Sequence, residues 1–367
     1  MSDRSRIRRL SDRAGSTLAA GLRPLRTGVK TARGRSLSVL DAAAARVGLA
    51  PRPAAPQPGW RTVARKEFGD HIASLRFLIL LVIIGLACLV AVINAAGFLR
   101  DVASGTADAP ISSPFLLLFT QSDNEIFPFV RFLGLFAPLV GIAFGFDAIN
   151  QERADGTLPR LVSQPIHRDD VINGKFAAGL ATIGVTLAIV VVIMSGVGIL
   201  RLGVTPSASD AARLVAFVVI TLAYVGVWMA FAILCSVLLR RAATAALVVF
   251  STWLVLTLFG TWLAGLVAGA VGPADELGRR NLEYTLSQFT PAGLYDASAA
   301  SVLADPSFQV AMLGRGDLEQ AANVVDLNFS LLQSLLAVWP QVTALVAVCV
   351  VLFTVAYMAF LRQEIRA

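Results

Sequence analysis

The sequence predicts an all-α integral membrane protein with six transmembrane helices. Composition, apolar runs and the placement of basic residues carry that prediction. Of the 367 residues, 56% are hydrophobic and only 15% charged, with a mean hydropathy of +0.72, well above what a soluble domain needs to cover its surface with polar groups. A helix needs about 20 apolar residues to cross the hydrocarbon core, and six stretches supply them: 77–99, 132–149, 176–200, 214–239, 242–271 and 339–361. The net charge of +7 and pI near 9.9 would suit nucleic acid if the basic residues formed one surface. Instead, 24 of the 31 Lys and Arg fall in 1–76, 150–175, 240–241 and 362–367, which lie on one side of a six-span chain. By the positive-inside rule both termini are then cytoplasmic, in a multi-pass protein of the cell (plasma or inner) membrane with no nucleic-acid partner.

Residues 1–58 form a basic tail ending in the Pro-rich "APRPAAPQPG", expected to be disordered. It would either hold anionic lipid headgroups or simply reinforce the topology. No apolar run comes after its arginines, so nothing in residues 1–30 resembles a signal peptide. In 59–76, Trp60, Val63, Ala64, Phe68, Ile72 and Leu75 recur at helical spacing with Arg61, Arg65 and Lys66 on the other side, the pattern of an amphipathic helix lying in the membrane interface. Spans one to five occupy 77–271. The fourth and fifth are separated only by Arg240 and Arg241, which would be costly at mid-membrane and therefore mark a tight turn at a surface. Residues 272–338 form an extracytoplasmic segment with eight acidic residues against three arginines, a surface for an extracytoplasmic partner. The sixth span and cytoplasmic C-terminus occupy 339–367. The apolar residues ahead of Trp339 and Pro340 read as a re-entrant or interfacial segment.

Motifs for chemistry are missing from the sequence. It contains no HExxH, CxxC, GxSxG or phosphate-loop pattern; Gly174 and Lys175 lack the glycine five positions earlier and the succeeding Ser or Thr. The chain is therefore expected not to be an enzyme, and to hold no cofactor or metal. Cys88, Cys235 and Cys349 all fall in spans, where thiols behave as small apolar groups. His71 and His167 lie in separate segments. Asp147 is the carboxylate nearest a span interior and Asn94 the notable polar residue of the first span, so a proton- or ion-coupled mechanism is disfavoured.

The informative stretch is "QERADGTLPRLVSQPIHRDDVINGKF", residues 151–176, the only substantial loop between spans on the cytoplasmic side. Leu158, Leu161 and Val162 are spaced to share one face of a short helix bracketed by Gly156 and Pro165. Ser163 or Asp169 would cap the next helical stretch, and Lys175 would end the loop at the headgroups. Such a short helix would be either a lid on its own bundle or a docking surface for a soluble partner.

With Asp147 included, this stretch resembles the segment after the second span in permeases of the ABC type-2 superfamily. The resemblance rests on Asp147, Glu152, Arg153, Gly156, Thr157, Leu158, Leu161, Ser163, Pro165, Arg168, Gly174 and Lys175. "ARKEFGDHIASLRFLILL" is similar to the family's approach to its first span, and in all about 60–271 and 339–362 are covered. The short link between spans three and four and the Arg240–Arg241 turn are similar to the branch containing the nitrous oxide reductase maturation permease; the long tail and the 272–338 segment depart from it.

The resemblance implies a permease subunit of an ATP-binding-cassette transporter, an exporter, embedded in membrane lipid. It would work as a dimer, with itself or a homologous permease, and with two copies of an ATP-binding subunit that carries the ATP and Mg. The loop would be a coupling helix: Leu158 and Leu161 bury against the partner, while Glu152, Arg153 and Arg168 fix register. Small residues at Gly265 and Gly269, and the similar pair Gly141 and Gly145, would permit close helix packing. The first pair is favoured for the dimer contact because family members place theirs near the first and fifth spans. The competing readings are a non-transporting membrane scaffold or assembly subunit and a polytopic membrane enzyme.

Overall fold

A computed structural model describes residues 59–105, 114–120, 127–156, 167–273, 275–303 and 331–362. The expectations for the 1–58 tail, and for Thr157, Leu158, Leu161, Ser163 and Pro165, fall outside these residues. The described residues contain helices and connecting turns but no strand. Six helices are long and apolar enough to cross a membrane: Phe77–Gly97, Phe129–Ala154, Arg168–Leu202, Ala208–Leu238, Ala242–Phe259 and Leu331–Arg362. They match the six predicted stretches in order.

The described residues begin with α1 (Gly59–Ile72), and a turn stapled by the Ser74 hydroxyl leads into α2 (Leu75–Gly105). A short α3 (Pro114–Thr120) precedes α4 (Phe129–Gly145) and the five-residue α5 (Asn150–Ala154). Next come α6 (Arg168–Leu202) and α7 (Ala208–Leu238). Gly203 ends α6 in the left-handed conformation, φ 72°, and Ser207 with Asp210 forms a reciprocal capping box that starts α7. Leu239 and Arg241 are extended, so the two arginines do break the apolar run into separate helices. The next span is itself divided: α8 (Ala242–Leu254), a π-helical turn (Val255–Phe259) and α9 (Gly260–Val271).

Burial ranks the spans. The apolar window of α7 is 72% buried, whereas those of α8 and the last helix are each 17% buried, which makes α7 the centre of the bundle. It packs against α4, α6 and α8 and most extensively against the last helix. Gly141 and Gly145 on α4 permit one of these contacts. A Cβ on Gly141 would lie 2.8 Å from Val225 Cγ1, and one on Gly145 2.6 Å from Ala232 Cβ. This glycine pair therefore packs two helices of one chain.

The segment after α9 is only partly a surface feature. The amphipathic α10 (Glu276–Ser287) runs back along α9, bringing Glu283 beside Gly265 and Thr290 beside Gly260. The chain then reverses into α11 (Pro291–Leu303), which enters the bundle against α7, α4 and the last helix, α12 (Leu331–Arg362). Tyr295, Ala299, Val302 and Leu303 are fully buried. Arg213 of α7 donates to the Val302 carbonyl at 2.9 Å, and Asp296, the only charged residue of α11, pairs with Arg131 at 2.7 Å. Sequence charge counts describe α10 well, with its exposed Glu276, Arg279 and Arg280, but α11 is apolar enough to pack inside. Residues 331–338 are the first turns of α12, continuous through Pro340. That proline removes one backbone hydrogen bond without ending the helix.

Candidate functional site

At the end of the bundle where α4 gives way to α6, a short polar segment is tied down from three sides. After α4 the chain turns through Phe146–Ile149 into α5, and the residues beyond α5 reach Gly156, whose φ of 64° is the left-handed conformation a glycine adopts at little cost. Beyond residues 157–166, α6 begins with Asp169 and Asp170 in its first turn, where carboxylates complement the helix dipole.

One tie is to the central helix. The backbone N–H groups of Ile149 and Asn150 both donate to the Ser236 hydroxyl, at 3.1 and 3.2 Å. Arg153 donates to the Val237 carbonyl at 3.1 Å and to Asn150 Oδ1 at 3.4 Å. These bonds use the unpaired groups at the start of α5 and the end of α7, so each helix end satisfies the other.

A second tie is ionic. Lys175 of α6 is only 9% exposed and its ammonium bridges Glu67 of α1, at 3.1 Å, and Glu152 of α5, at 3.2 Å. Its neighbour Gly174 makes that reach possible: a Cβ there would stand 2.6 Å from Val63 Cβ and 2.9 Å from the Trp60 carbonyl, so only glycine lets α1 lie this close to α6. Burial would raise the Glu67 carboxyl, but Lys175 and Lys66 outweigh it and hold the group below the usual carboxylate value. His71, stacked on Phe144 with ring centroids 4.3 Å apart, is shifted down, first by burial and then by Lys175, against the pull of Glu67.

These elements surround a cleft of about 620 Å³, lined from α1 by Lys66, Glu67, Asp70 and His71, from α4 and the α5 region by Asp147, Gln151, Glu152 and Asp155, and from α6 by Lys175. Five carboxylates face two ammoniums, so the cleft is net acidic. No cluster suited to a metal is found among the described residues.

Of the residues singled out in the sequence, Glu152, Arg153, Gly156 and Lys175 meet here, and Arg168 is half-buried at the start of α6, two turns before Lys175. Thr157, Leu158, Leu161 and Pro165 lie outside the described residues. Gly265 faces Glu283 of the same chain, a Cβ there lying 3.2 Å from Oε1, whereas Gly269 has open space around it. Sequence reasoning missed Glu67, His71 and Ser236. Glu67 was within reach, because it stands in the Arg-Lys-Glu-Phe stretch that carried the resemblance. Ser236 carried no signal, being one small residue in an apolar run.

No curated protein matches the chain. The profile of the family described as ABC-2 family transporter protein matches residues 61–365, most of the chain, and the protein belongs to that family of membrane-spanning ABC transporter permeases.

Proposed function

We propose that this chain is the permease half of an exporter, and that the segment 151–176 receives a separate ATP-binding subunit whose nucleotide cycle drives it. Family membership supports an ATP-binding partner and a dimeric arrangement in general. The observation that carries the coupling role is the pair of ties that anchor α5. Glu152 and Lys175 join α5 and α6 to α1, and Arg153 and Ser236 join α5 to the end of α7. A force on α5 is therefore passed to α1, α6 and α7. Coupling needs such a rigid element with two positions, each favoured by one state of the partner.

In this reading both termini and the loop are cytoplasmic, as the basic residues indicate, and α1 lies at the membrane surface. Two ATP-binding subunits carry ATP and Mg. Leu158 and Leu161 bury against the partner, with Arg168 and the open side of the acidic cleft fixing register. The second permease meets the first beside the exposed face of α9 at Gly269. The likeness to the nitrous oxide reductase maturation branch is a further refinement resting on the short α6–α7 link and the Arg240–Arg241 turn.

The test is copurification. With Leu158 and Leu161 both changed to Asp, the permease should still insert and remain monodisperse while the ATP-binding subunit is lost from the pull-down. A full complement of ATPase on that variant would overturn the docking assignment.

A further inference from the structure

Only Leu239, Arg240 and Arg241 join α7 to the α8 span. Three extended residues reach about 10 Å, and a link that must return to a neighbouring helix rises about half as far. The headgroup layer on either side of a bilayer is about 5–7 Å thick, so both guanidiniums are held at headgroup level whichever way the bundle faces. Leu239 and Arg241 are extended, and both arginines are exposed. Among the described residues neither meets a carboxylate, whereas the exposed Lys66, Arg131, Arg279 and Arg280 are each ion-paired.

A third guanidinium lies at the same turn. In a continuing helix the Val237 carbonyl would accept from the amide of Arg241, four residues on, but the chain leaves the helix at Leu239 and Arg153 of α5 donates to that carbonyl at 3.1 Å. The turn therefore gathers three cations at the end of α7. Apolar side chains flank it on the membrane side: Leu238 is 59% exposed, and Leu247, two turns into α8, is 66% exposed.

We infer that the α7–α8 turn is a binding site for an anionic phospholipid, with its phosphate on Arg240 and Arg241 and its acyl chains along Leu238 and Leu247. A guanidinium presents a planar pair of donors that matches the oxygens of a phosphate, and two of them stand here at the depth where lipid phosphates lie. A zwitterionic headgroup suits the turn less, because it brings a cation of its own to a place that already holds three. An acidic patch on a soluble protein would meet the arginines but leave the leucines below them to the bilayer, whereas one lipid covers both. Arg153 also ties α5 to α7, so a phosphate at the turn offsets the repulsion among guanidiniums beside the coupling segment. The inference needs only that these helices span a membrane and is independent of where an ATP-binding subunit docks.

The test is native mass spectrometry of the purified full-length permease, titrated in detergent with dioleoylphosphatidylglycerol and, in parallel, with dioleoylphosphatidylcholine. The first lipid should bind about tenfold more tightly. That preference should disappear in the double variant Arg240→Gln, Arg241→Gln and survive in Arg240→Lys, Arg241→Lys, which keeps the charge. It should be unaffected in Arg279→Gln, Arg280→Gln on α10. Glycerol 3-phosphate, which has the phosphate ester without acyl chains, should not displace the lipid. Equal binding of the two lipids, a preference retained when both turn arginines are neutral, an equal loss in the α10 variant, or full displacement by glycerol 3-phosphate would overturn the inference. So would a neutral turn that keeps its lipid preference but loses the ATP-binding subunit from the pull-down, which would make the turn a protein contact. None of these outcomes bears on the Leu158 and Leu161 test, so the two readings fail separately.

Discussion

Replacing Lys175 with Met tests whether the ionic tie holds the coupling segment together. Lys175 is 9% exposed and its two partners, Glu67 and Glu152, have side chains 12% and 15% exposed. The substitution keeps most of the apolar stem and deletes the charge, taking from Glu152 the cation at 3.2 Å and leaving Glu67 with Lys66 at 3.0 Å. Removing one member of a buried ion pair typically costs about 3–5 kcal/mol, and the open side of the cleft puts the lower figure in force here, about 3 kcal/mol. At roughly 2 °C per kcal/mol for a large domain, the thermal midpoint of the purified permease should fall by about 6 °C. The diagnostic comparison is the triple variant Glu67→Gln, Glu152→Gln, Lys175→Met. If the penalty is uncompensated charge, the triple variant should recover most of the midpoint, because neutral amides no longer demand a cation. Differential scanning fluorimetry in one detergent measures all three proteins. A single variant as stable as wild type, or a triple variant no better than the single one, would refute the argument that Lys175 is the electrostatic keystone of α1, α5 and α6.

The same cleft sets a pH dependence. Glu67 is depressed in the fold, so its stabilisation is present above the ordinary carboxylate value and lost as pH falls through the lower folded value. His71 is also depressed, so below its ordinary 6.5 the unfolded chain takes up a proton the folded chain resists, and acidification again destabilises. Thermal midpoints from pH 7.5 to 5.5 should decline in wild type and decline less in His71→Phe, which retains the stacking on Phe144; parallel curves would discount the histidine. Gly174→Ala should lower stability by about 1–3 kcal/mol through overpacking, because the new Cβ meets Val63 Cβ rather than a flexible tip. Val63→Ala in the same protein should restore much of it, and a lack of rescue would show that α1 packs differently. Gly145→Leu should abolish a monodisperse permease by forcing α4 off α7, whereas Gly269→Leu should leave the monomer intact and weaken crosslinking between differently tagged copies. Unchanged crosslinking in Gly269→Leu would move the dimer contact elsewhere.

Legibility in the sequence differs from one element to another. Six spans could be read because lipid imposes a length and an apolarity that no local accident imitates, and the Arg240–Arg241 break could be read because two guanidiniums cannot rest at mid-membrane. Glycines were harder. Gly141 and Gly145 share the spacing of Gly265 and Gly269, but spacing states only that two backbones can approach. It does not say which second helix approaches, and α7 turned out to be that helix for the first pair. Lys175 was placed at a headgroup boundary because sequence reveals a charge but not the two carboxylates waiting on α1 and α5. The burial of α11 was hidden for a related reason. Its neighbours 272–290 and 304–330 carry most of the charge in that segment, so an average over the whole masks thirteen residues with a single ionised side chain.

The geometry also constrains how movement of the loop could reach the centre of the bundle. Ser236, which receives both backbone donors from the start of α5, and Tyr224, stacked on Tyr295 of α11, ride the same helix twelve residues apart, or about 18 Å. The stretch between them is buried throughout except for the half-buried Phe231 and contains neither proline nor a π turn, so it has no hinge of the ordinary kinds. A continuous helix between two sites does not by itself transmit anything. With none of the ordinary causes of a kink present, rigid displacement of α7 against its neighbours is the simpler route. The neighbour best able to yield is the α8 span. It is largely unburied and is interrupted by the π turn Val255–Phe259, whereas α4 lies in close contact with α7 at Gly141 and Gly145. Under the proposed docking, movement of the loop would therefore carry α4, α5 and α7 together against α8.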